Sequence, residues 1–308
     1  MDVRLIREVR GPTGRGPGNG MFALQQALLA VRPAWLHVGG CLCDGEIPWF
    51  WCRNDREAAC TCAALNLPFV LGPNVLFTNS AAPCSTVAER ELCDAPSCRL
   101  QFTESVWYRE LILKHRGPAM RAPIVLWPYP IEPQPGGPLP AHYDLLIYEK
   151  SGFDPALPGQ LLQRWPASSR VVYGHYHRGQ LVDFARNSRV CVYLSDDDRG
   201  PLALAEILLS GCPAVGVPRG APWIEHGRTG YLTQFLDPST LSPAIQQAMQ
   251  LDRSAVRAIA RVQFNTEATV QTILQSLDAA RTDISTADRP SVSTRKRPDD
   301  PSLSSESE

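Results

Sequence analysis

Asp198 and Glu206 stand eight positions apart, a little over two helical turns. Two acids so spaced can straddle one ligand. Around the first runs Ser195-Asp196-Asp197-Asp198-Arg199-Gly200-Pro201-Leu202, which reads as a strand stopping and a helix starting. Such a helix start exposes N–H groups that suit a phosphate or a hydroxyl, and the stretch Arg199, Gly200, Pro201 and Leu202 forms it here. Gly220 and Ala221 mark the next strand end, beyond Pro218, where backbone amides can approach an anion. The plainer alternative is that Asp196, Asp197 and Asp198 cap the helix and that Glu206 faces solvent. Glu206 lies between Leu204, Ala205, Ile207 and Leu208, an unusual place for an acid.

The elements that must position these groups follow from hydrophobic patterning. The second half predicts strands at 144–148, 170–173, 189–194 and 213–217, alternating with helices at 159–165, 179–187 and 201–210. Strands and helices alternating at this spacing argue for a parallel sheet covered on both faces, with ligands beyond the carboxyl ends of the strands. Helical pattern returns at 241–251 and 254–277. The first half opens with a strand-like 3–9, a glycine-rich loop from Gly11 to Gly20 and a helix at 21–31. Strands at 35–38, 49–52, 69–71, 100–103 and 123–127, and helices at 56–65 and 106–115, complete it. The Pro/Gly-rich stretch 128–140 cannot continue regular structure and marks the passage between halves. These readings divide the chain into residues 1–121, residues 122–280 and a disordered tail, 281–308, which has no aromatic residue and is rich in Ser, Pro, Asp and Arg.

With 308 residues the chain fits two domains. A hydrophobic share of 44%, a charged share of 20% and a net charge of -1 fit a globular protein and make no electrostatic case for nucleic acid as the dominant partner. No apolar run approaches a membrane span. The first ten residues carry Asp2, Arg4, Arg7, Glu8 and Arg10 instead of a signal-type apolar stretch, so a cytoplasmic location is expected. Ten cysteines, eight of them before residue 100, lack the paired C-x2-C knuckles of a structural zinc site. Small apolar packing residues are the favoured reading, with a zinc site or a redox role as alternatives.

The segment from Asp198 through Glu206 to Ser210-Gly211-Cys212-Pro213-Ala214-Val215 resembles the core signature of the group 1 (GT4-like) retaining glycosyltransferases. That signature is an acid, seven residues, a glutamate, then a small-x-Gly-x-Pro-Val run. Pro222 to Gly230 is similar to the family's later Glu and His/Asn-Gly-x-x-Gly turn. Thr103 to Trp107 and Val125 to Glu132 look like its last acceptor-domain helix and the crossing to the donor domain. The resemblance implies a GT-B fold, two facing Rossmann-like α/β domains, with an acceptor-side first domain and a donor-binding second. It implies a UDP- or GDP-sugar co-substrate, an acceptor that is a glycan, lipid-linked sugar, small molecule or nucleic acid, and retaining transfer without a metal. Glu206 would hold the donor's ribose and Asp198 its sugar hydroxyls, with Gly220 and Ala221 beside sugar and diphosphate. Gly14, Gly16 and Gly18 would supply amides, Lys150 the cation for the leaving diphosphate, His175 a ligand contact and His37 a group near the acceptor.

Three departures stand out. The first acid is Asp198 where the family mostly has glutamate. The family's strand-end Arg is absent, leaving Lys150 with Arg178, Arg199 or Arg219 as substitutes. The acceptor domain is short, at about 120 residues. A non-catalytic nucleotide-sugar-binding or scaffold protein of the same fold is therefore a standing alternative. A dinucleotide-binding fingerprint is disfavoured, because His37-Val38-Gly39-Gly40 stands where its ribose-binding acid belongs.

Overall fold

The structure, a computed structural model, describes residues 1–8, 20–74, 92, 94–115, 122–127, 131, 133 and 135–287. The first half forms β1 (Asp2–Leu5), α1 (Gly20–Val31), β2 (Leu36–Val38), β3 (Glu46–Cys52), α2 (Arg56–Ala64), β4 (Phe69–Asn74), β5 (Cys98–Thr103), α3 (Val106–His115) and β6 (Ile124–Leu126). Its strands build one parallel sheet in the order β2-β1-β3-β4-β5-β6. The second half forms β7 (Tyr143–Ser151), α4 (Leu157–Arg164), β8 (Ser168–Val172), α5 (Arg178–Asn187), β9 (Ser188–Ser195), α6 (Leu202–Leu209), β10 (Ala214–Gly216) and β11 (Gly230–Leu232). These strands are parallel in the order β11-β10-β9-β7-β8. Helices α7 (Pro238–Ala248), α8 (Arg253–Gln263) and α9 (Thr266–Ala287) follow.

Strand β7 shows why the second sheet is parallel and buried. Leu145, Leu146 and Ile147 are all inaccessible to solvent. Leu145 and Ile147 join Leu157, Leu161, Leu241 and Ile245 on one face, while Leu146 and Tyr148 join Leu181 and Leu204 on the other. A strand covered on both faces has no polar side to alternate with. In each sheet the chain winds outward, returns and continues on the far side of its first strand. The crevices at the carboxyl ends of β1/β3 and β7/β9 are therefore topological switch points, where open α/β sheets bind ligands.

Several boundaries differ from the sequence expectation. β6 pairs with β5, and Trp127 packs against Trp49 and Phe102, with ring centroids 5.7 and 5.2 Å apart. Residues 122–127 thus belong to the first sheet's body, and the division drawn after residue 121 moves into the Pro/Gly-rich stretch. The helical pattern expected at 254–277 is two helices, because Asn265 caps a new one by accepting the Ala268 N–H at 2.9 Å. The second of these, α9, runs to Ala287, so residues 281–287 are helical where a tail was expected; residues 288–308 lie outside the described residues. Helix α9 also leaves the second sheet to pack on α1, β1 and β5. The Arg281 guanidinium lies 4.8 Å from the centre of the Trp35 ring.

The cysteines described in the second half, Cys191 and Cys212, are fully buried. Burial pushes the Cys212 thiol up to about 12, with Arg253 opposing it, so this side chain acts as a small apolar group. Gly159, in α4, has open space where a side chain would project. Gly159→Ala is expected to raise stability by about 0.5–1 kcal/mol, since alanine restricts the unfolded chain and suits a helix; urea unfolding midpoints check this.

Candidate functional site

The β7/β9 switch point carries the chemistry. Lys150 lies at the end of β7 and Asp198 just beyond β9, and the Lys150 ammonium pairs with the Asp198 carboxylate. The Tyr193 hydroxyl donates to the same carboxylate oxygen at 2.9 Å, and the Asp198 N–H donates to the Arg219 carbonyl, also at 2.9 Å. Asp198 is buried at 7% exposure. It does not cap α6, whose first residue follows Pro201 without any side-chain cap. The Lys150 ammonium also sits over the Tyr173 ring, 5.2 Å from its centre.

Glu206 settles inside the protein rather than in solvent. Helix α6 is buried along nearly its whole length, and Glu206 is 2% exposed. The Arg178 side chain, from the start of α5, donates from Nε to its Oε1 at 2.5 Å. Glu206, Arg178, Ser210, Ile131 and Gly136 line a narrow recess of about 10 Å³. A hollow of about 300 Å³ is lined by Gly174, His175, Tyr176, His177 and Gln180. His175 and His177 are exposed there.

A buried tyrosine stack joins these two acids. Tyr148 and Tyr193 lie face to face with centroids 4.7 Å apart, and the Tyr148 and Tyr176 hydroxyls are 3.1 Å from each other. Burial raises all three phenols above their ordinary range, and neighbours including Asp198 add to it. They stay protonated, and Tyr193 remains a hydrogen-bond donor to Asp198. Sequence reasoning missed Tyr193, Tyr176 and the Arg178–Glu206 pair. The only local signal was a tyrosine two residues before the end of an otherwise aliphatic strand.

The remaining expected residues divide. Gly220 is buried, and a Cβ there would lie 1.6 Å from the Ser195 carbonyl oxygen, so glycine lets the β10 loop close on the end of β9. Ala221, expected to offer its N–H to an anion, already donates it to the Val217 carbonyl at 2.8 Å, and the Leu202 N–H goes to the Gly200 carbonyl at 2.9 Å. Pro201 has no N–H, which leaves Gly200 as the amide of that turn best suited to an anion. Gly14, Gly16 and Gly18 lie outside the described residues.

His37 is placed elsewhere. Its Nε2 lies 3.2 Å from Asp2 and 3.8 Å from Glu46, on the edge strand of the first sheet. Arg4 grips Glu46 through two hydrogen bonds of 2.5 and 2.6 Å. The Arg4 side chain holds the Glu46 carboxyl down at about 2, helped by the Cys43 N–H against the cost of burial. A depressed carboxylate stabilises fully above its unfolded value of 4.5 and loses that contribution as pH falls towards 2. Glu46→Gln is expected to flatten the fall in unfolding midpoint over that window.

The substitute cations are engaged. Arg199 lies over the Tyr108 ring and Arg219 over the Trp107 ring, each 5.0 Å from the centre. Both rings belong to α3, so the two arginines clamp the halves together. Arg219 also reaches Asp197 at 3.5 Å, and the Trp223 Nε1–H donates to the Glu104 carbonyl at 3.3 Å.

No family model matches the chain, and no curated protein is significantly similar to it in sequence. Solved structures do match. HepE of Anabaena in complex with UDP and glucose is 14% identical, covers 91% of this chain and 100% of its own, and has a TM-score of 0.60. Sucrose-phosphate synthase of Thermosynechococcus elongatus is 13% identical over 94% of this chain and 98% of its own, with a TM-score of 0.56. The lipopolysaccharide outer core galactosyltransferase WaaB, in its apo form, is 10% identical over 91% and 99%, also at 0.56. At these identities the likeness is one of architecture: the chain has the GT-B fold. Among the described residues no helix is long and apolar enough to cross a membrane.

Proposed function

We propose that this chain is a glycosyltransferase that moves a sugar from a UDP- or GDP-sugar to an acceptor held in the cleft between its halves, with retention and without a metal. The observation that carries the reading is the Lys150–Asp198 pair at the switch point of the second sheet, with buried Glu206 two turns further on. Glu206 holds the ribose hydroxyls from its recess, and the nucleoside extends towards His175. Asp198 accepts from the sugar hydroxyls. Lys150 exchanges Asp198 for the donor's diphosphate as the donor enters. Gly200 and the turn beside Gly220 flank the phosphates.

The chemistry then asks little of acid–base groups. The bond between the anomeric carbon and the diphosphate oxygen breaks, and charge grows on the leaving group. Lys150 stabilises that charge more in the transition state than in the ground state, which is what accelerates the step. The acceptor oxygen bonds to the same face of the sugar, and its proton passes to the departing phosphate oxygen. His37, beside Asp2 and Glu46 on the first sheet, is the candidate group on the acceptor side. The engagement of Arg199 and Arg219 with aromatic rings favours a second reading, a binder of nucleotide sugars that does not turn over.

Calorimetric titration of UDP, GDP and ADP tests the first reading, followed by donor hydrolysis with the matching nucleotide sugars. One nucleotide is expected to bind, and Asp198→Ala is expected to lower donor turnover at least 100-fold while changing the affinity of the bare nucleotide less than threefold, roughly the loss of one charge-assisted contact to the sugar. A chain that binds none of the three nucleotides sinks both readings. Binding without turnover leaves the binder.

A further inference from the structure

A second cavity, of about 550 Å³, opens beside Asp196. This is within the roughly 300–1,000 Å³ usual for small-molecule sites. Four successive strand ends build it: Gly152, Phe153 and Asp154 after β7, Asp196 after β9, Val217 to Arg219 after β10, and Gln234 to Leu236 after β11. Arg219 forms part of its wall and stacks on Trp107 of α3, so the cavity lies at the cleft between the two halves.

Its lining is mixed in a particular way. Phe153, Phe235, Val217, Pro218 and Leu236 are apolar, while Asp154, Asp196, Gln234 and Arg219 can accept and donate hydrogen bonds. Phe235 is 56% exposed. Leaving much of a ring of that size in water forgoes apolar burial, and the backbone beneath it is not loose. The Phe235 carbonyl accepts from the Thr233 and Thr240 hydroxyls at 3.0 and 2.7 Å. Asp237 then caps α7 by accepting the Ser239 and Thr240 N–H groups at 2.9 and 3.0 Å. The ring is held out on a rigid turn, which lowers the ordering cost of binding against it. On the opposite wall, Gly152 adopts φ +68°, and a Cβ there would strike the Asp196 carboxylate at 1.8 Å. Ser151 engages Asp196, two residues from Asp198, by donating its hydroxyl to the carboxylate at 3.4 Å and accepting the Asp196 N–H at 3.2 Å.

We infer that this cavity is the saccharide subsite for the acceptor, in which an acceptor sugar stacks an apolar face on Phe235 or Phe153 and gives its hydroxyls to Asp196, Asp154 and Gln234. Pyranose rings present C–H faces and a rim of hydroxyls, and aromatic surfaces flanked by carboxylates and an amide complement both. A wholly apolar ligand would leave the carboxylates desolvated and unpaired. An anionic ligand would face two carboxylates against one guanidinium. The inference rests on the proposed transfer reaction for the word acceptor, and on the cavity alone for the word saccharide.

Saturation-transfer NMR on the full chain tests it, with methyl α-glucoside, methyl β-galactoside, N-acetylglucosamine and L-rhamnose as probes, each with and without UDP. At least one probe is expected to take saturation on its ring protons. Phe235→Ala should reduce that signal at least fivefold, and Phe235→Trp should keep it, while UDP affinity stays within twofold in both. Thermal melts confirm that the exposed position leaves folding intact. Three results overturn the inference: no probe saturated although UDP binds, saturation unchanged by both Phe153→Ala and Phe235→Ala, or probes displaced by UDP with UDP affinity lost in Phe235→Ala, which would make this the nucleotide's own pocket. Probes that bind in a chain with no affinity for UDP, GDP or ADP uphold the saccharide site and sink the proposed function instead.

Discussion

Gly220→Ala is expected to lose more than about 3 kcal/mol of stability, read as a lower urea midpoint, and to bind no nucleotide. The added methyl would lie 1.6 Å from the Ser195 carbonyl oxygen and 2.5 Å from its carbon. Both atoms are backbone, so no rotamer change relieves the clash, and the β10 loop must part from the end of β9. Ser195 leads directly into Asp196, Asp197 and Asp198, and the Asp198 N–H is anchored to the Arg219 carbonyl of that same loop. Separation therefore takes Asp198 away from Lys150. Gly227→Ala is the contrasting variant. Its φ of +76° strains any side chain, but nothing lies within 4 Å of the new methyl, so a cost of about 1–2 kcal/mol is expected with nucleotide binding kept. Equal losses in the two variants, measured by urea unfolding and UDP titration, would refute the close approach of these loops.

The second large effect concerns Arg178 and Glu206, and it is asymmetric. Arg178→Ala strips a cation from a carboxylate whose side chain is 1% exposed. Breaking a buried ion pair from one side costs about 3–5 kcal/mol, because the remaining charge has little water to turn to. Glu206→Gln removes the buried charge instead and leaves an arginine whose side chain is 33% exposed. That loss is expected to be about 1–2 kcal/mol. Nucleotide affinity should reverse the ranking per unit of stability. Glu206→Gln keeps the fold but exchanges a charged carboxylate that accepts through two oxygens for a neutral amide that accepts through one, weakening UDP at least tenfold, whereas Arg178→Ala loses binding only to the degree that it unfolds. Urea midpoints and calorimetry on the same preparations separate the two. Equal destabilisation by both variants would refute the burial argument.

What the chain disclosed in advance was local. The aliphatic run 144–148 lies within β7, and the alternation of strand and helix signals in the second half matches the observed succession from β7 to β10. Asp198 just past a strand end and Glu206 within the next helix were readable as well, because a strand end, a short turn and a helix start are properties of neighbouring residues. The partners of those acids were not legible. Arg178 and Glu206 are separated by 28 positions and Lys150 and Asp198 by 48, and they meet because β9 inserts beside β7 rather than beside β8. That strand order is decided by packing on both faces of the sheet. Tyr193 looked like one more apolar residue of a buried strand, since its hydroxyl acts only once Asp198 folds back over it. The reach of α9 was hidden for the opposite reason: its periodic pattern was visible, but nothing local says which half a terminal helix will cover.

That helix changes the mechanics of the molecule. The chain crosses from the first sheet to the second between Trp127 and Tyr143, and returns where α9 lays Val270, Ile273 and Leu277 into the core shared with β1. One covalent crossing would act as a tether, leaving the halves free to swivel about every axis. Two crossings behave like the paired pins of a door, so the halves can swing about the line joining them and resist twisting about any other. Cutting the chain near Asn265 would remove one pin and turn a door into a pendulum.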